Sequence, residues 1–177
     1  MRLVPENSFL AIIDVQERLV AAMPNAEQVV ARCLRLAEAA RLLGVPAVLT
    51  EQYPKGLGPT TAALAKALPP PADKLAFSCA GCAAFDEAVT GGAAAAVIAG
   101  LETHVCITQT CLDLVAQGVG VFVAVDAVAS RHAIDHNTAL RRLEAAGVVL
   151  TTSEAVLFEW CRTAEHPQFQ KIRRLVI

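Results

Sequence analysis

Uninterrupted runs of apolar residues, rather than alternating ones, mark the predicted strands of this chain. Residues 9–13 form such a run between the polar pair Asn7-Ser8 and Asp14. A run of this kind is typical of a strand that is buried on both faces of a sheet. The same criterion predicts strands over residues 45–49, 95–99, 119–125 and 148–151, and a short extended piece over residues 74–77.

Apolar residues at helical spacing occupy the segments between these runs. The clearest helix extends from a cap at Asn25 to Leu43 and stops at Gly44, because asparagine caps helix starts and glycine accepts the left-handed conformation that ends them. The pattern predicts further helices over residues 61–68, 85–89 and 134–146, one from the turn at residues 100–105 to Gly118, and a helical region at the C-terminus.

Strands and helices alternate along the whole chain, which predicts one α/β domain over residues 1–177. Its expected architecture is a three-layer α/β/α sandwich, with helices on both faces of an open, mainly parallel, Rossmann-like sheet. Ligands bind such sheets outside the carboxyl ends of the strands. We therefore expect Asp14, the loop after Leu49, the turn before Cys106 and Asp126 to border one cleft.

Composition and charge narrow the class of partner. Hydrophobic residues make up 55% of the chain, yet no uncharged apolar run approaches the ~18 residues of a membrane span. The formal net charge is -2, and no extended basic cluster offers the electrostatic footprint of a nucleic-acid site. The prediction is a small-molecule substrate, with no membrane partner and no nucleic-acid partner.

The cysteines and the first residues bear on the cellular compartment. The N-terminal segment, residues 1–14, lacks the pattern of a secretory signal. Six cysteines in such a chain are expected to be reduced thiols rather than a disulfide framework. We therefore predict a cytoplasmic protein.

Cys106 is the strongest candidate for chemistry. It follows a predicted strand and lies in the first turn of a predicted helix, where unpaired N–H groups and the helix dipole stabilise an anion. A nearby cation such as Lys74 would lower the pKa of the thiol further. The alternative for such a cysteine is an inert, buried side chain.

Four segments carry a resemblance to a known family. Residues 100–106 (GLETHVC) resemble the nucleophile turn of the isochorismatase-like cysteine hydrolases, and residues 13–16 (IDVQ) resemble the strand end that carries the family's aspartate. Residues 74–78 (KLAFS) resemble the segment of its lysine, and residues 126–130 (DAVAS) match another recurrent segment. The order of these segments is that of the family, and residues 50–58 with 166–169 look most like its isochorismatase-domain-containing branch.

The resemblance implies a catalytic triad and a reaction. Asp14 would take the thiol proton, Cys106 would attack the carbonyl carbon of a small amide or related acyl compound to form a thioester, and Lys74 would balance the charge. The backbone N–H groups of Glu102 and Cys106 would form the oxyanion hole. The resemblance also implies a cis peptide between Leu101 and Glu102 and a homo-oligomer, a dimer or a tetramer.

No metal and no cofactor are predicted. Metal-binding relatives carry an Asp-x-His motif after the second strand, whereas this chain has Thr50-Glu51-Gln52 there. By location, Gln16, Gln52, Tyr53 and Phe77 are candidates for substrate-binding pocket walls.

Two other functions remain open from the residues. Cys79-Ala80-Gly81-Cys82 is a C-x-x-C motif ahead of a short helix, an arrangement that thiol-disulfide redox proteins use. The third possibility is a noncatalytic ligand-binding scaffold of the same fold.

Overall fold

The computed structural model describes residues 1–177 and contains one six-stranded sheet. The strands lie in the order β3-β2-β1-β4-β5-β6, and every pairing is parallel. Their bounds are β1 (Ser8–Ile13), β2 (Ala47–Gln52), β3 (Ala72–Lys74), β4 (Ala95–Leu101), β5 (Gly120–Ala129) and β6 (Val149–Thr151). The predicted α/β fold class is confirmed.

Helices connect the strands and cover the sheet. They are α1 (Glu17–Ala21), α2 (Ala26–Leu43), α3 (Pro54–Leu57), α4 (Ala62–Ala67), α5 (Ala83–Thr90), α6 (Thr108–Ala116), α7 (Ala133–Ala145), α8 (Ser153–Cys161) and α9 (Phe169–Arg174). A 3₁₀ turn (Pro5–Asn7) precedes β1, and a π-helical turn (Thr103–Ile107) joins β4 to α6. None of the helices combines the length and the apolar character needed to cross a bilayer.

The position of β1 explains why its residues are apolar throughout. Leu10 and Ile12 belong to a core shared with α2, α8 and α9, whereas Phe9, Ala11 and Ile13 belong to a second core under α5, α6 and α7. Successive side chains of a strand point to opposite faces. Because both faces are covered by helices, no position of this strand is left for a solvated side chain.

Two strands continue past their predicted ends and include polar residues. The structure continues β2 past Leu49 to Gln52 and β5 past Val125 to Ala129. The short extended piece predicted to begin at Lys74 is instead a strand that ends there. Apolar patterning ends a strand where polar residues begin, but these polar side chains stay in the ladder because they find hydrogen-bond partners within the protein.

The strand order places a cleft at the middle of the sheet. The chain moves outward from β1 to β2 and β3, and then returns to add β4, β5 and β6 on the other side. The connections leaving β1 and β4 therefore diverge, which creates a topological switch point outside their carboxyl ends. Asp14 follows β1 directly and the π-helical turn follows β4, so both lie at this point.

Gly100 permits the close pairing of β1 and β4 at this cleft. It pairs with Ile13 and has φ +129°, and an added Cβ would clash with the Ile13 carbonyl oxygen and lie 2.7 Å from the Ile13 nitrogen. We expect Gly100→Ala to lower the free energy of unfolding by about 4 kcal/mol or more, because backbone rather than a flexible side chain must yield. Chemical denaturation measures this.

Gly44→Ala is the matched control for that substitution. Gly44 also has positive φ, +70°, but a Cβ added there would have no atom within 4 Å. The cost there is the left-handed conformation alone, about 1–2 kcal/mol. Equal losses in the two variants would contradict a steric role for Gly100.

Candidate active site

Asp14, Lys74 and Cys106 come from three separate elements and meet at the carboxyl edge of the sheet. Asp14 follows β1 with φ 54°, Lys74 ends β3, and Cys106 lies in the π-helical turn after β4. The Lys74 ammonium nitrogen is 2.6 Å from Asp14 Oδ2. Asp14, Lys74 and Cys106 are 0%, 6% and 3% exposed. An ion pair this well buried interacts strongly because little solvent screens it.

The Lys74 ammonium is held by several acceptors. Besides Asp14, Lys74 Nζ donates to Gln52 Oε1 at 2.8 Å and to the Phe77 carbonyl oxygen at 3.0 Å. Burial alone lowers the pKa of Lys74, but the charge of Asp14 and its hydrogen bond outweigh burial, so the pKa is raised. Lys74 is therefore a fixed cation beside Asp14 rather than a proton donor at neutral pH.

Thr50 fixes the other oxygen of the Asp14 carboxylate. Thr50 Oγ1 donates to Asp14 Oδ1 at 2.8 Å, and both residues are fully buried. Residue type alone does not single out Thr50. Strand register could have identified it, because Thr50 pairs with Ile13 across β1 and β2 and so lies beside Asp14. With Lys74 on Oδ2, both carboxylate oxygens are oriented by donors.

The surroundings of Cys106 favour the neutral thiol over the thiolate. Burial and the Asp14 carboxylate raise the pKa of Cys106, and Lys74 only partly opposes them. The prediction of a lowered pKa at a helix start is therefore wrong. The physical reason is that the Asp14 carboxylate already neutralises the Lys74 ammonium. A Cys106 thiolate would be a second anion beside that pair, and burial disfavours it. The π-helical turn also precedes α6 instead of being its first turn.

The Glu102 backbone differs from the expected geometry. No cis peptide is present, so the predicted cis bond between Leu101 and Glu102 is wrong. Glu102 instead has φ 59°, an uncommon left-handed conformation for a residue other than glycine. Its carbonyl oxygen accepts from Val105 N at 2.9 Å, whereas its own N–H has no acceptor in the protein. A buried free donor of this kind is unusual.

The two glutamines predicted as pocket walls are bonded within the protein. Gln16 Nε2 donates to the carbonyl oxygens of Gln52 and Gly58, at 3.0 and 2.7 Å, and Gln16 Oε1 accepts from Gln52 N at 2.8 Å. Gln52 contacts Lys74, and Gln52 Nε2 donates to the Leu75 carbonyl oxygen at 2.8 Å. These contacts tie the segments after β1, β2 and β3 together, and substrate contact by either glutamine stays a prediction.

Tyr53 and Phe77 occupy more open positions. Each is 51% exposed. Tyr53 borders a cavity of about 330 Å³ that also reaches Lys55, Lys74 and Leu75. Phe77 does not line this cavity, and substrate contact by either aromatic side chain stays a prediction.

Asp126 does not join this cleft. It lies within β5, and its carboxylate accepts from Ser153 N and Ser153 Oγ, both at 2.6 Å, with Arg32 Nε 3.5 Å away. Asp126 thus anchors the first turn of α8 against α2, on the opposite side of the sheet from the second core. The expectation that it borders the same cleft as Asp14 is wrong because its side chain points to the other face.

The C-x-x-C cysteines are buried thiols beside the same site. Burial raises the pKa of Cys79 to about 11, and it also raises the pKa of Cys82. Disulfide exchange depends on a thiol with a lowered pKa, so this environment does not favour the redox alternative. No group of three or more His, Cys, Asp or Glu side chains is arranged to hold a metal ion.

Sequence comparisons identify relatives along nearly the full length. The family model of the isochorismatase domain matches residues 8–155. Isochorismatase domain-containing protein 2A of Mus musculus is 38% identical over 177 residues, covering 99% of this chain and 85% of that protein. Isochorismatase domain-containing protein 2 of Bos taurus is 40% identical over 175 residues, with the same shares covered.

Solved structures match the same fold. A MAR1 ribonuclease from Caenorhabditis elegans superposes with a TM-score of 0.94 at 37% identity, covering 99% of this chain and 92% of that one. YcaC from Pseudomonas aeruginosa, solved with hexane-2,5-diol and covalent acrylamide, superposes with a TM-score of 0.87 at 26% identity, covering 97% and 89%. With a matching family model, full-length relatives and the shared fold, this chain belongs to the isochorismatase-like hydrolase family.

Proposed function

We propose that this protein is a cysteine hydrolase that cleaves a small amide or a related acyl compound through a thioester on Cys106. The observation that carries the proposal is the buried Lys74–Asp14 ion pair, 2.6 Å long, whose charges act on the Cys106 thiol. A carboxylate next to a neutral thiol is the arrangement that general-base activation of a nucleophile requires.

The proton moves between Cys106 and Asp14 in each half of the reaction. As the sulfur attacks the carbonyl carbon, the thiol proton passes to Asp14, and Asp14 then gives it to the nitrogen of the leaving amine as the C–N bond breaks. Water attacks the thioester with its proton going to Asp14, and that proton returns to the sulfur when the acid leaves. Lys74 stabilises whichever of the two groups is anionic.

An oxyanion hole completes the proposed chemistry. The free N–H of Glu102 supports its assignment as one donor, and the N–H of Cys106 is the proposed second. Donors that are fixed before the reaction stabilise the developing negative charge without reorganisation. The similar YcaC structure contains covalent acrylamide. Acrylamide alkylates nucleophiles by addition to its carbon–carbon double bond, so this adduct supports a reactive nucleophile in this fold but not acyl transfer.

Ribonuclease activity is the second candidate, because a similar structure bears that name. The charge of this chain does not favour it: the net charge is -2, and binding to nucleic acid phosphates draws on clustered lysine and arginine. The three proposed catalytic side chains are also too buried to contact a folded RNA. Because of that similar structure, an oligoribonucleotide is nevertheless included among the compounds that are tested for turnover.

A substrate panel with mass detection tests the proposal. The protein is incubated with primary amides, N-carbamoyl amines and simple esters of small acids, and with an oligoribonucleotide in a separate arm. We expect release of ammonia, an amine or an alcohol, according to the compound, with a transient acyl adduct on Cys106 after acid quenching. Hydrolysis without any adduct, or cleavage of RNA alone, would overturn the mechanism. Absence of all turnover would favour a noncatalytic scaffold, and a reversible disulfide between Cys79 and Cys82 would favour redox chemistry.

Exposed apolar side chains near the site favour assembly into an oligomer. Tyr53, Leu75 and Phe77 are large hydrophobic residues that are exposed near Lys74, and exposed apolar patches mark interaction sites. We propose that a second copy covers them in a homo-oligomer, a dimer or a tetramer. A monomer mass in light scattering would contradict this. The single domain over residues 1–177 and the cytoplasmic location remain predictions.

A further inference from the structure

Glu102 combines three features that ordinary packing does not require. Its backbone has φ 59°, its N–H has no acceptor, and its carboxylate is only 7% exposed. The left-handed conformation is strained for a residue with a side chain, and it persists only where contacts with the surroundings hold it. The contacts of the Glu102 side chain therefore contribute to holding this backbone conformation.

An arginine from a different element holds this carboxylate. Arg131 Nε donates to Glu102 Oε1 at 3.0 Å. His104 Nδ1 lies 3.5 Å from Glu102 Oε2 and 3.1 Å from Ser130 Oγ. Glu102 Oε2 has no hydrogen-bond partner. Arg131 thus makes the hydrogen-bonded ion pair with the Glu102 carboxylate, and this contact joins the turn after β4 to the segment between β5 and α7.

We propose that the Arg131–Glu102 ion pair is a positioning device for the oxyanion hole, in which Arg131 acts on the reaction only through the Glu102 backbone. This inference rests on the function proposed above and adds two positioning roles to it, that of the Arg131 guanidinium and that of the Glu102 carboxylate. Side-chain and backbone orientation are coupled at Glu102, because pulling the carboxylate toward Arg131 fixes the peptide plane that carries the N–H.

The ion pair is too exposed on one side to serve mainly as a stabilising contact. The Arg131 side chain is 51% exposed, and ion pairs that reach solvent contribute little to stability. By contrast, loss of an oxyanion donor costs about 10²- to 10³-fold in turnover. A contact that is weak for folding can therefore be strong for catalysis when it aims such a donor.

Turnover and thiol alkylation separate this role from a structural one. Alkylation of Cys106 by iodoacetamide forms no oxyanion, so it reports on the thiol and Asp14 but not on the Glu102 N–H. We expect Arg131→Met to lower kcat about 10- to 100-fold with little change in KM, because the donor is displaced rather than removed. The alkylation rate of Cys106 should stay at the wild-type value across a pH series.

Matched variants complete the experiment. Arg141→Met removes an exposed arginine of α7 whose hydrogen-bond partner is a hydroxyl, Thr138 Oγ1, and should leave kcat unchanged. Arg131→Lys keeps the charge and should restore part of the turnover. In a Glu102→Gln background, Arg131→Met should have a smaller effect than alone, as expected for two members of one contact.

Three outcomes would overturn the inference. These are an unchanged kcat in Arg131→Met, a parallel loss of alkylation and turnover, and full additivity of the two substitutions. A wild-type protein without turnover would remove the proposed function and this inference together. If the wild-type protein turns over substrate and forms the Cys106 adduct, but Arg131→Met has the same kcat, this inference alone is contradicted.

Discussion

Cys106→Ala is expected to abolish hydrolysis while leaving the protein folded. Without the sulfur no thioester can form, and we expect turnover of any compound found in the substrate panel to fall by at least about 10⁴-fold. Cys106 is 3% exposed and packs in the second core, so loss of one sulfur atom should cost only about 1 kcal/mol of stability. Steady-state kinetics and thermal unfolding measure the two effects.

Cys111→Ala is the matched control for that variant. Cys111 is fully buried in the same core, on the first turns of α6. The substitution removes the same atom and should leave turnover near the wild-type value. Iodoacetamide labelling should be lost at residue 106 in Cys106→Ala and retained in Cys111→Ala. Comparable turnover in Cys106→Ala and the wild type would contradict the role of Cys106 as the nucleophile.

Asp14→Asn is expected to make Cys106 easier to alkylate and the enzyme much less active. The Asp14 carboxylate is one of the causes that raise the pKa of the Cys106 thiol, whereas Lys74 lowers it. Without the carboxylate, the thiolate becomes the partner of the Lys74 ammonium, so its pKa falls and the thiolate fraction at neutral pH rises. Turnover should nevertheless fall about 10²- to 10⁴-fold, because no base remains to carry the proton to the leaving amine.

In Asp14→Asn, alkylation of Cys106 should become faster while turnover falls. A loss of folding would not produce this combination, so it identifies a loss of base catalysis. We expect the pH profile of alkylation to shift to lower pH relative to the wild type. Lys74 loses its carboxylate partner in this variant and is buried without a counter-charge whenever the Cys106 thiol is protonated, which destabilises the fold, so circular dichroism is recorded at each pH. Asp113→Asn, at an exposed carboxylate that accepts from Ser78 Oγ, is the control. Slower alkylation in folded Asp14→Asn would contradict the proposed electrostatics.

Local patterning predicts the elements of this fold well because burial leaves its mark on the sequence. The apolar run ending at Asp14 becomes a central strand, and the helix from residue 26 ends at Gly44 with φ 70°. Asn25 makes no side-chain cap, however. Patterning is less successful where polar residues continue a strand: Thr50 is buried and Asp126 is half-buried, and both lie inside strands that their polarity alone would end.

The members of the site were predictable to different degrees. Asp14, Lys74 and Cys106 could be nominated together because the segments that carry them resemble those of the family in the same order, whereas Asp14 or Lys74 alone would more simply be a turn residue or a surface charge. Thr50 and Arg131 were not singled out, because a threonine in a strand and an arginine near a helix start are common everywhere. Their importance follows only from what they contact, Asp14 Oδ1 and Glu102 Oε1.

Residue order and residue type were thus sufficient for the alternating α/β architecture and for the chemical groups at the edge of the sheet, since both arise from hydrophobic burial and from intrinsic reactivity. Distances and protonation states were not available from that information. The raised pKa of the Cys106 thiol, the shared contacts of Lys74 and the contact of the Glu102 carboxylate with Arg131 depend on neighbours far away in sequence and on the exclusion of water, which exist only once the chain has packed.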